Sequence, residues 1–291
     1  MRILVTGANG MLGRDLCDEV AKRHTLLPFT RADADVTDLD ALIPAFRDAS
    51  PDAVIHTAAE TNVDGCEQRP DHAFRVNTWG AWATAAAAEE AGARFLLLST
   101  DFVFDGRSQR PYTEFDPLNP INVYGASKAA AETACRNACR RCTVVRTQWL
   151  YGRQGRSFPR TILTAAAAGK PLRVVTDQVG SPTYTRDLAA VLIWLCEHPC
   201  DGTYHVANAG AATRWEWARE LLQLAGWDDV EVEASVSSEW PTPAARPPYS
   251  VLRRFALELR GADDMPTWQA GLARFVEESR AAREIPARAP S

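Results

Sequence analysis

Lysine is nearly missing from this 291-residue chain. Of its 32 basic residues only Lys22, Lys128 and Lys170 are lysines, so a solvated basic position is ordinarily filled by arginine and each lysine is an exception. No apolar run approaches the roughly 18 residues of a membrane-crossing helix; the stretch Leu188–Cys196 is about half as long. Histidine is scarce, with five in all, and none forms an HxxxH or HxH pair. Seven cysteines make an odd set. Cys135, Cys139 and Cys142 lie close in sequence with no fourth Cys or His nearby, which favours helix packing over zinc, and no metal site is assigned. No repeat of fixed period and no Gly/Ser linker is present. A net charge of −5 argues against a nucleic-acid binder held by bulk electrostatics. Met1-Arg2 leads straight into Ile3-Leu4-Val5-Thr6-Gly7, which reads as leaving no signal peptide. Reduced thiols and a cytoplasmic location are therefore expected, without membrane or nucleic-acid partners.

What is present is a rhythm. Short apolar runs alternate with longer helical patterns: strands Arg2–Thr6, Thr25–Phe29, Ala53–His56, Arg94–Ser99 and Thr143–Thr147, and helices Met11–Arg23, Leu39–Asp48, about Pro70–Ala91 and Asn122–Cys139. Strands separated by helices imply right-handed crossovers and a parallel sheet covered on both faces. The expected fold is α/β: a doubly wound, Rossmann-like parallel sheet with a smaller C-terminal α/β substrate lobe. Residues 1–150 read as the dinucleotide-binding domain. Residues 151–291 read as the smaller lobe, with some segments returning to the main sheet. Helices Phe158–Ala168, Arg186–Glu197 and Arg214–Ala225 and strands Leu172–Val175 and Thr203–Val206 are expected there.

The first strand runs into Gly7-Ala8-Asn9-Gly10-Met11-Leu12-Gly13. In a GxxGxxG loop the first glycine permits the tight turn, the second admits a pyrophosphate, and the third lets the helix pack on the sheet. The helix N-terminus then offers free N–H groups to phosphate. A dinucleotide cofactor is expected. NAD-selective folds place an acidic residue after the second strand. Here Arg31 stands there, where it can meet a 2′-phosphate, so NADP(H) is expected, with NAD(H) the alternative because Asp33 and Asp35 are close.

Tyr124-Gly125-Ala126-Ser127-Lys128 puts a phenol and an amine on one face of a helix. A neighbouring ammonium lowers a phenol's pKa, which would suit the tyrosine to pass a proton to a carbonyl oxygen as a nicotinamide delivers hydride. Lys128 is also a lysine in an arginine-using chain, and a compact ammonium reaches where a guanidinium does not. A third member is expected at the end of the preceding strand, from Ser99 or Thr100. Trp149, just past a strand end, is a candidate to stack on a sugar or base, with lobe packing the alternative. His56 ends a buried strand and reads as structural. Trp215 and Trp217 read as core or an oligomer contact.

With these elements placed, the chain resembles the dTDP-4-dehydrorhamnose reductase family of extended short-chain dehydrogenases/reductases almost end to end. The resemblance rests on Gly7–Gly13, Ala58–Asp64, Ser99–Gly106, Asn122–Lys128, Arg146–Tyr151, Asp177–Thr183, Pro241–Pro247 and Pro266–Trp268. It implies Thr100, Tyr124 and Lys128 as catalytic triad. Gly10, Met11 and Leu12 with Asp35, Val36, Ala58, Ala59 and Thr61 would form the cofactor wall, and Val63, Phe102 and Trp149 the floor of a dTDP-sugar site. It implies reduction of the 4-keto group of dTDP-4-dehydro-β-L-rhamnose to dTDP-L-rhamnose. Some relatives use Mg2+ at a dimer contact. Nothing in this sequence locates its carboxylates, and a homodimer is left open. Two other functions fit the same fold: a nucleotide-sugar epimerase or dehydratase with tightly held NAD, and a non-catalytic NADP-binding subunit resembling the β subunit of methionine adenosyltransferase.

Overall fold

The computed structural model describes residues 1–286. Strands β1 (Arg2–Thr6), β2 (Thr25–Phe29) and β3 (Ala53–His56) alternate with helices α1 (Met11–Ala21) and α2 (Leu39–Ala49). Helices α3 (Val63–Gln68), α4 (Pro70–Phe74) and α5 (Gly80–Glu90) lead to β4 (Arg94–Thr100), and α6 (Val123–Ala138) leads to β5 (Cys142–Thr147). Beyond it come the two-residue strand β6 (Leu150–Tyr151), α7 (Phe158–Ala167), β7 (Leu172–Val175), β8 (Val179–Gly180) and β9 (Thr183–Tyr184). The chain continues through α8 (Thr185–Glu197), β10 (Gly202–His205), β11 (Ala212–Thr213), α9 (Arg214–Leu224), β12 (Val232–Ser235), α10 (Phe255–Leu259) and α11 (Trp268–Ala281).

The main sheet has six strands in the order β10-β5-β4-β3-β1-β2, all parallel. Both faces are covered, so its strands bury mainly apolar side chains. In β1, Ile3 and Val5 join Leu16, Leu188 and Leu192 on one side, while Leu4 joins Phe46, Val54 and Phe95 on the other. The chain leaves β1 toward β2 and returns past it to β3, so the order reverses between β1 and β3. A crevice opens there at the carboxyl ends of the strands, where ligands of doubly wound sheets bind. Most of the second half packs beside the sheet around Tyr151, Tyr184, Trp217 and Phe275. Its β10 nevertheless pairs with β5, and its α8 packs on α1.

The helix expected over 70–91 is broken by a π-helical turn at Arg75–Trp79. The alanine-rich α5 buries Ala81, Ala83, Ala85, Ala87 and Ala88, because small side chains let it lie closely between α2 and α6. Eight elements had no counterpart in the sequence reading: the helices α3, α10 and α11, the strand β12, and the four strands of the short pairs β8–β11 and β6–β9. Among the described residues no helix is long and apolar enough to cross a membrane.

Candidate active site

A cavity of about 320 Å³ lies in the crevice between β1 and β3. Gly7, Gly10, Arg31, Asp35, Val36, Ala58 and Ala59 of the expected cofactor residues line it, together with Thr6, Asn9, Thr30 and Glu60. Met11, Leu12, Gly13 and Thr61 are not among its lining residues. Leu12 turns into the core, and Thr61 is exposed. Gly7 takes φ +68, and a Cβ there would lie 2.8 Å from Thr57 Oγ1 and 2.9 Å from the Ala58 amide, so only glycine keeps the turn open. Helix α1 starts at Gly10 without a side-chain cap and without an acidic residue in its first turn. Its N–H groups and the positive end of its dipole face the crevice, which suits a phosphate. The residues present therefore fit a dinucleotide.

Arg31 stands at the rim, 80% exposed, and pairs with Asp35 at 3.0 Å. The other Asp35 oxygen accepts from the amide and hydroxyl of Thr37, both at 2.9 Å, and these bonds hold the carboxyl below its ordinary range. Asp35 is thus tied to its own loop. His56 sits in the sheet behind the crevice, hydrogen-bonded through Nδ1 to Thr6 Oγ1 at 2.9 Å. Burial first, and Lys128 second, push it down to about 3 and keep it neutral. Its burial and its bond to Thr6 are consistent with a structural histidine.

Farther along the strand tips stand Thr100, Tyr124 and Lys128. Thr100 ends β4 and caps the short turn Asp101–Val103, accepting from the Phe102 amide at 3.2 Å. Its hydroxyl donates to Asp101 Oδ1 at 2.9 Å. Asn122 caps α6 by accepting from the Gly125 amide at 2.8 Å. A Cβ on Gly125 would collide with the carbonyl oxygen of Phe102, so this glycine lets α6 dock directly on the turn after β4. That docking brings the Tyr124 phenol near the Thr100 hydroxyl, with the Phe102 ring edge-on at 5.6 Å.

The electrostatics differ from the sequence expectation. Burial pushes the Tyr124 phenol up, and neighbouring Asp101 and Cys66 push the same way against the lowering hydrogen bond of Thr100. Lys128 is not among the groups that move it. The lysine is itself 3% exposed and is pulled by burial down to about 8, with Cys135 and Glu132 opposing. Desolvation of the phenol outweighs the charge of a neighbouring amine that is also desolvated. Among the described residues, Lys128 makes no ion pair. Glu132, one turn on, is fully buried and bound instead by Arg146 at 2.7 and 2.9 Å and by Ser99 at 2.6 Å. Of the two hydroxyls left open by the sequence, Ser99 thus faces away into the core and Thr100 faces Tyr124.

Val63 is the first residue of α3, capped by Asn62. Asp64 beside it receives a two-pronged contact from Arg246 at 2.6 and 2.8 Å, which ties the 240s segment to α3. Trp149 has a left-handed backbone, φ 46, uncommon for a bulky residue. One face of its ring is covered by the guanidinium of Arg214 at 3.6 Å, and it stacks with Trp217 at 5.8 Å. These contacts are those of the lobe-packing reading. Cys135, Cys139 and Cys142 are buried free thiols in the core between α5 and α6. Asp101, Arg214 and Arg246 were not singled out from sequence. Arginine is too common here for any one to stand out, and only burial distinguishes Asp101.

A parallel sheet with a glycine loop at its switch point and a Thr–Tyr–Lys group at the neighbouring strand tips defines an extended short-chain dehydrogenase/reductase. Residues 1–281 match the RmlD substrate binding domain, and the chain belongs to that family. It is 37% identical over 282 residues to the spore coat polysaccharide biosynthesis protein SpsK of Bacillus subtilis, covering 97% of this chain and 99% of that protein. It is 39% identical over 275 residues to a dTDP-4-dehydrorhamnose reductase of Mycolicibacterium smegmatis, covering 93% of this chain and 84% of that one. The crystal structure of dTDP-4-dehydrorhamnose reductase from Bacillus anthracis in complex with NADP superimposes with a TM-score of 0.93 at 37% identity, covering 95% and 99% of the two chains.

Proposed function

We propose that this protein is an NADP-dependent reductase that converts the 4-keto group of dTDP-4-dehydro-β-L-rhamnose to the alcohol of dTDP-L-rhamnose. The observation that carries the reading is the Tyr124 phenol, set near the Thr100 hydroxyl at the strand tips and kept protonated by burial. A reduction consumes a proton at the carbonyl oxygen, so a loaded phenol is the form required of a general acid. The relatives named above support the substrate, and the NADP complex supports the cofactor.

Gly7, Gly10 and the amide end of α1 would hold the diphosphate of the cofactor, Ala58 and Ala59 its wall, and Arg31 the 2′-phosphate. NADP(H), when bound, supplies the hydride. Tyr124 donates its proton to the ketone oxygen. Once the phenol has lost that proton, Thr100 is the hydroxyl within reach of the phenolate, and a turn of its O–H from Asp101 toward Tyr124 stabilises the new charge. Lys128, cationic at neutral pH and without an ion pair among the described residues, would supply positive charge to the bound cofactor. Val63, Phe102 and Trp149 bound the sugar.

Tyr124→Phe keeps the ring and removes the acid. With dTDP-4-dehydrorhamnose and NADPH, its kcat is expected to fall roughly 10²- to 10⁴-fold, the range of general acid catalysis, with NADPH affinity retained. An unchanged kcat would remove Tyr124 from the mechanism. Stoichiometric NAD in the purified protein, with no net NADPH oxidation, would favour an epimerase or dehydratase instead.

A further inference from the structure

Arg214 is the first residue of α9. Its guanidinium lies 3.6 Å from the Trp149 ring centre, 5.3 Å from that of Phe158 and 5.5 Å from that of Trp217. Other partly or fully buried arginines of the chain are committed to carboxylates: Arg146 to Glu132, Arg246 to Asp64 and Arg254 to Asp263. Arg214 is not. Among the described residues its guanidinium has neither a hydrogen bond nor an ion pair, although a guanidinium carries five N–H donors. Its charged neighbours are Asp101, which favours its charge, and Arg246, which opposes it. Asp101 accepts from the hydroxyl of Thr100 at 2.9 Å. The aromatic seat fixes the plane of the guanidinium and leaves its donor edge for another group.

The position of this donor edge is informative. Arg214 feels the charge of Asp101, whose carboxylate accepts from Thr100 at 2.9 Å, and it rests on Trp149, the residue proposed above to bound the sugar. In a nucleotide sugar the diphosphate is attached across the ring from the 4-keto group. An anion receptor is therefore wanted about one sugar ring from Thr100 and Tyr124. We propose that Arg214 is a substrate-binding residue whose guanidinium takes the diphosphate of the nucleotide sugar. The proposal rests on the reading of the site as a nucleotide-sugar reductase and deepens it. A planar fork matches two phosphate oxygens at once, which an ammonium does not.

The test is calorimetric titration of the full-length protein with dTDP and with thymidine, on the parent, Arg214→Met and Arg214→Lys. Loss of a charge-assisted contact is expected to weaken dTDP about tenfold to a hundredfold in Arg214→Met. Thymidine and NADPH should bind as in the parent, and KM for the sugar nucleotide should rise more than kcat falls. Arg214→Lys should weaken dTDP severalfold, and it carries the test if the Met variant does not fold. Unchanged dTDP affinity, or equal losses for dTDP and thymidine, would overturn the proposal and reduce Arg214 to packing against Trp149. A parent protein with no preference for dTDP over thymidine would overturn it too. If the parent fails to reduce dTDP-4-dehydrorhamnose while Arg214→Met still abolishes the dTDP preference, the sugar assignment falls and Arg214 keeps its role.

Discussion

The hydroxyl of Thr100 donates to Asp101 Oδ1 at 2.9 Å, so the side chain flanking the Tyr124 phenol has its proton committed to a carboxylate. That carboxylate is buried, and its second oxygen has no hydrogen-bond partner among the described residues. Burial pushes its pKa up to about 6, against hydrogen bonds from Ser250 and Thr100 and the charge of Arg214. Between the ordinary value of 3.8 and about 6, the folded protein holds a proton that the unfolded chain has released. Stability therefore falls as pH rises through that window and stays at the lower level above it. Asp101→Asn keeps an acceptor for Thr100 and removes the titration. Its melting temperature relative to the parent should climb from about pH 4 to about pH 6 and then level off. A difference flat in pH would show that the carboxyl titrates as an exposed one does.

Lys128 has the opposite sign. A buried ammonium without an ion pair is an unfavourable charge, and its folded-state pKa lies near 8, below the ordinary 10.5. Lys128→Met should raise the melting temperature at pH 7 while abolishing reduction. From about pH 8 to 10.5 the unfolded chain binds the proton that the folded parent has shed, so the parent gains stability with pH and the two proteins converge. A Met variant less stable than the parent at pH 7 would mean that the ammonium is well solvated or well paired.

The five parallel strands of the first half are readable because each is a short apolar run buried on both faces, and the loop at Gly7–Gly13 is readable because its spacing has one stereochemical use. Tyr124 and Lys128 could be placed on one helix from their spacing. The direction of their pKa shifts could not, since it follows from the burial of both side chains. The π-turn at Arg75–Trp79 carries no distinctive composition, and α11 follows a segment whose pairing, Ala209 with Thr267, is non-local. Arg214 was hidden by the arginine bias that made Lys128 conspicuous.

Arg31 borders the crevice beside Asp35, whose carboxylate is already held by Thr37. An arginine that meets a 2′-phosphate should matter for NADPH and not for NADH. Arg31→Ala is expected to weaken NADPH roughly tenfold, the scale of one exposed charge-assisted contact, and to leave NADH within about twofold of the parent. Equal losses for the two cofactors would assign the guanidinium to Asp35 alone.

Gly13 tests whether the loop and the helix behind it act as one unit. A Cβ there would run into the carbonyl oxygen of Gly7 and lie 2.9 Å from the Ala8 Cα. Both are backbone atoms, so no rotamer change relieves the contact and α1 must move away from β1. Overpacking of this kind costs about 1–3 kcal/mol, a fall of several degrees in melting temperature for a chain of this size. The displaced amides should also weaken NADPH. Gly92→Ala provides the contrast: φ is +69 but nothing lies within 4 Å of the added methyl, so it strains one turn remote from the crevice. Both variants should lose stability, and only Gly13→Ala should lose cofactor affinity. Equal NADPH binding in the two would separate the helix packing from the phosphate cradle.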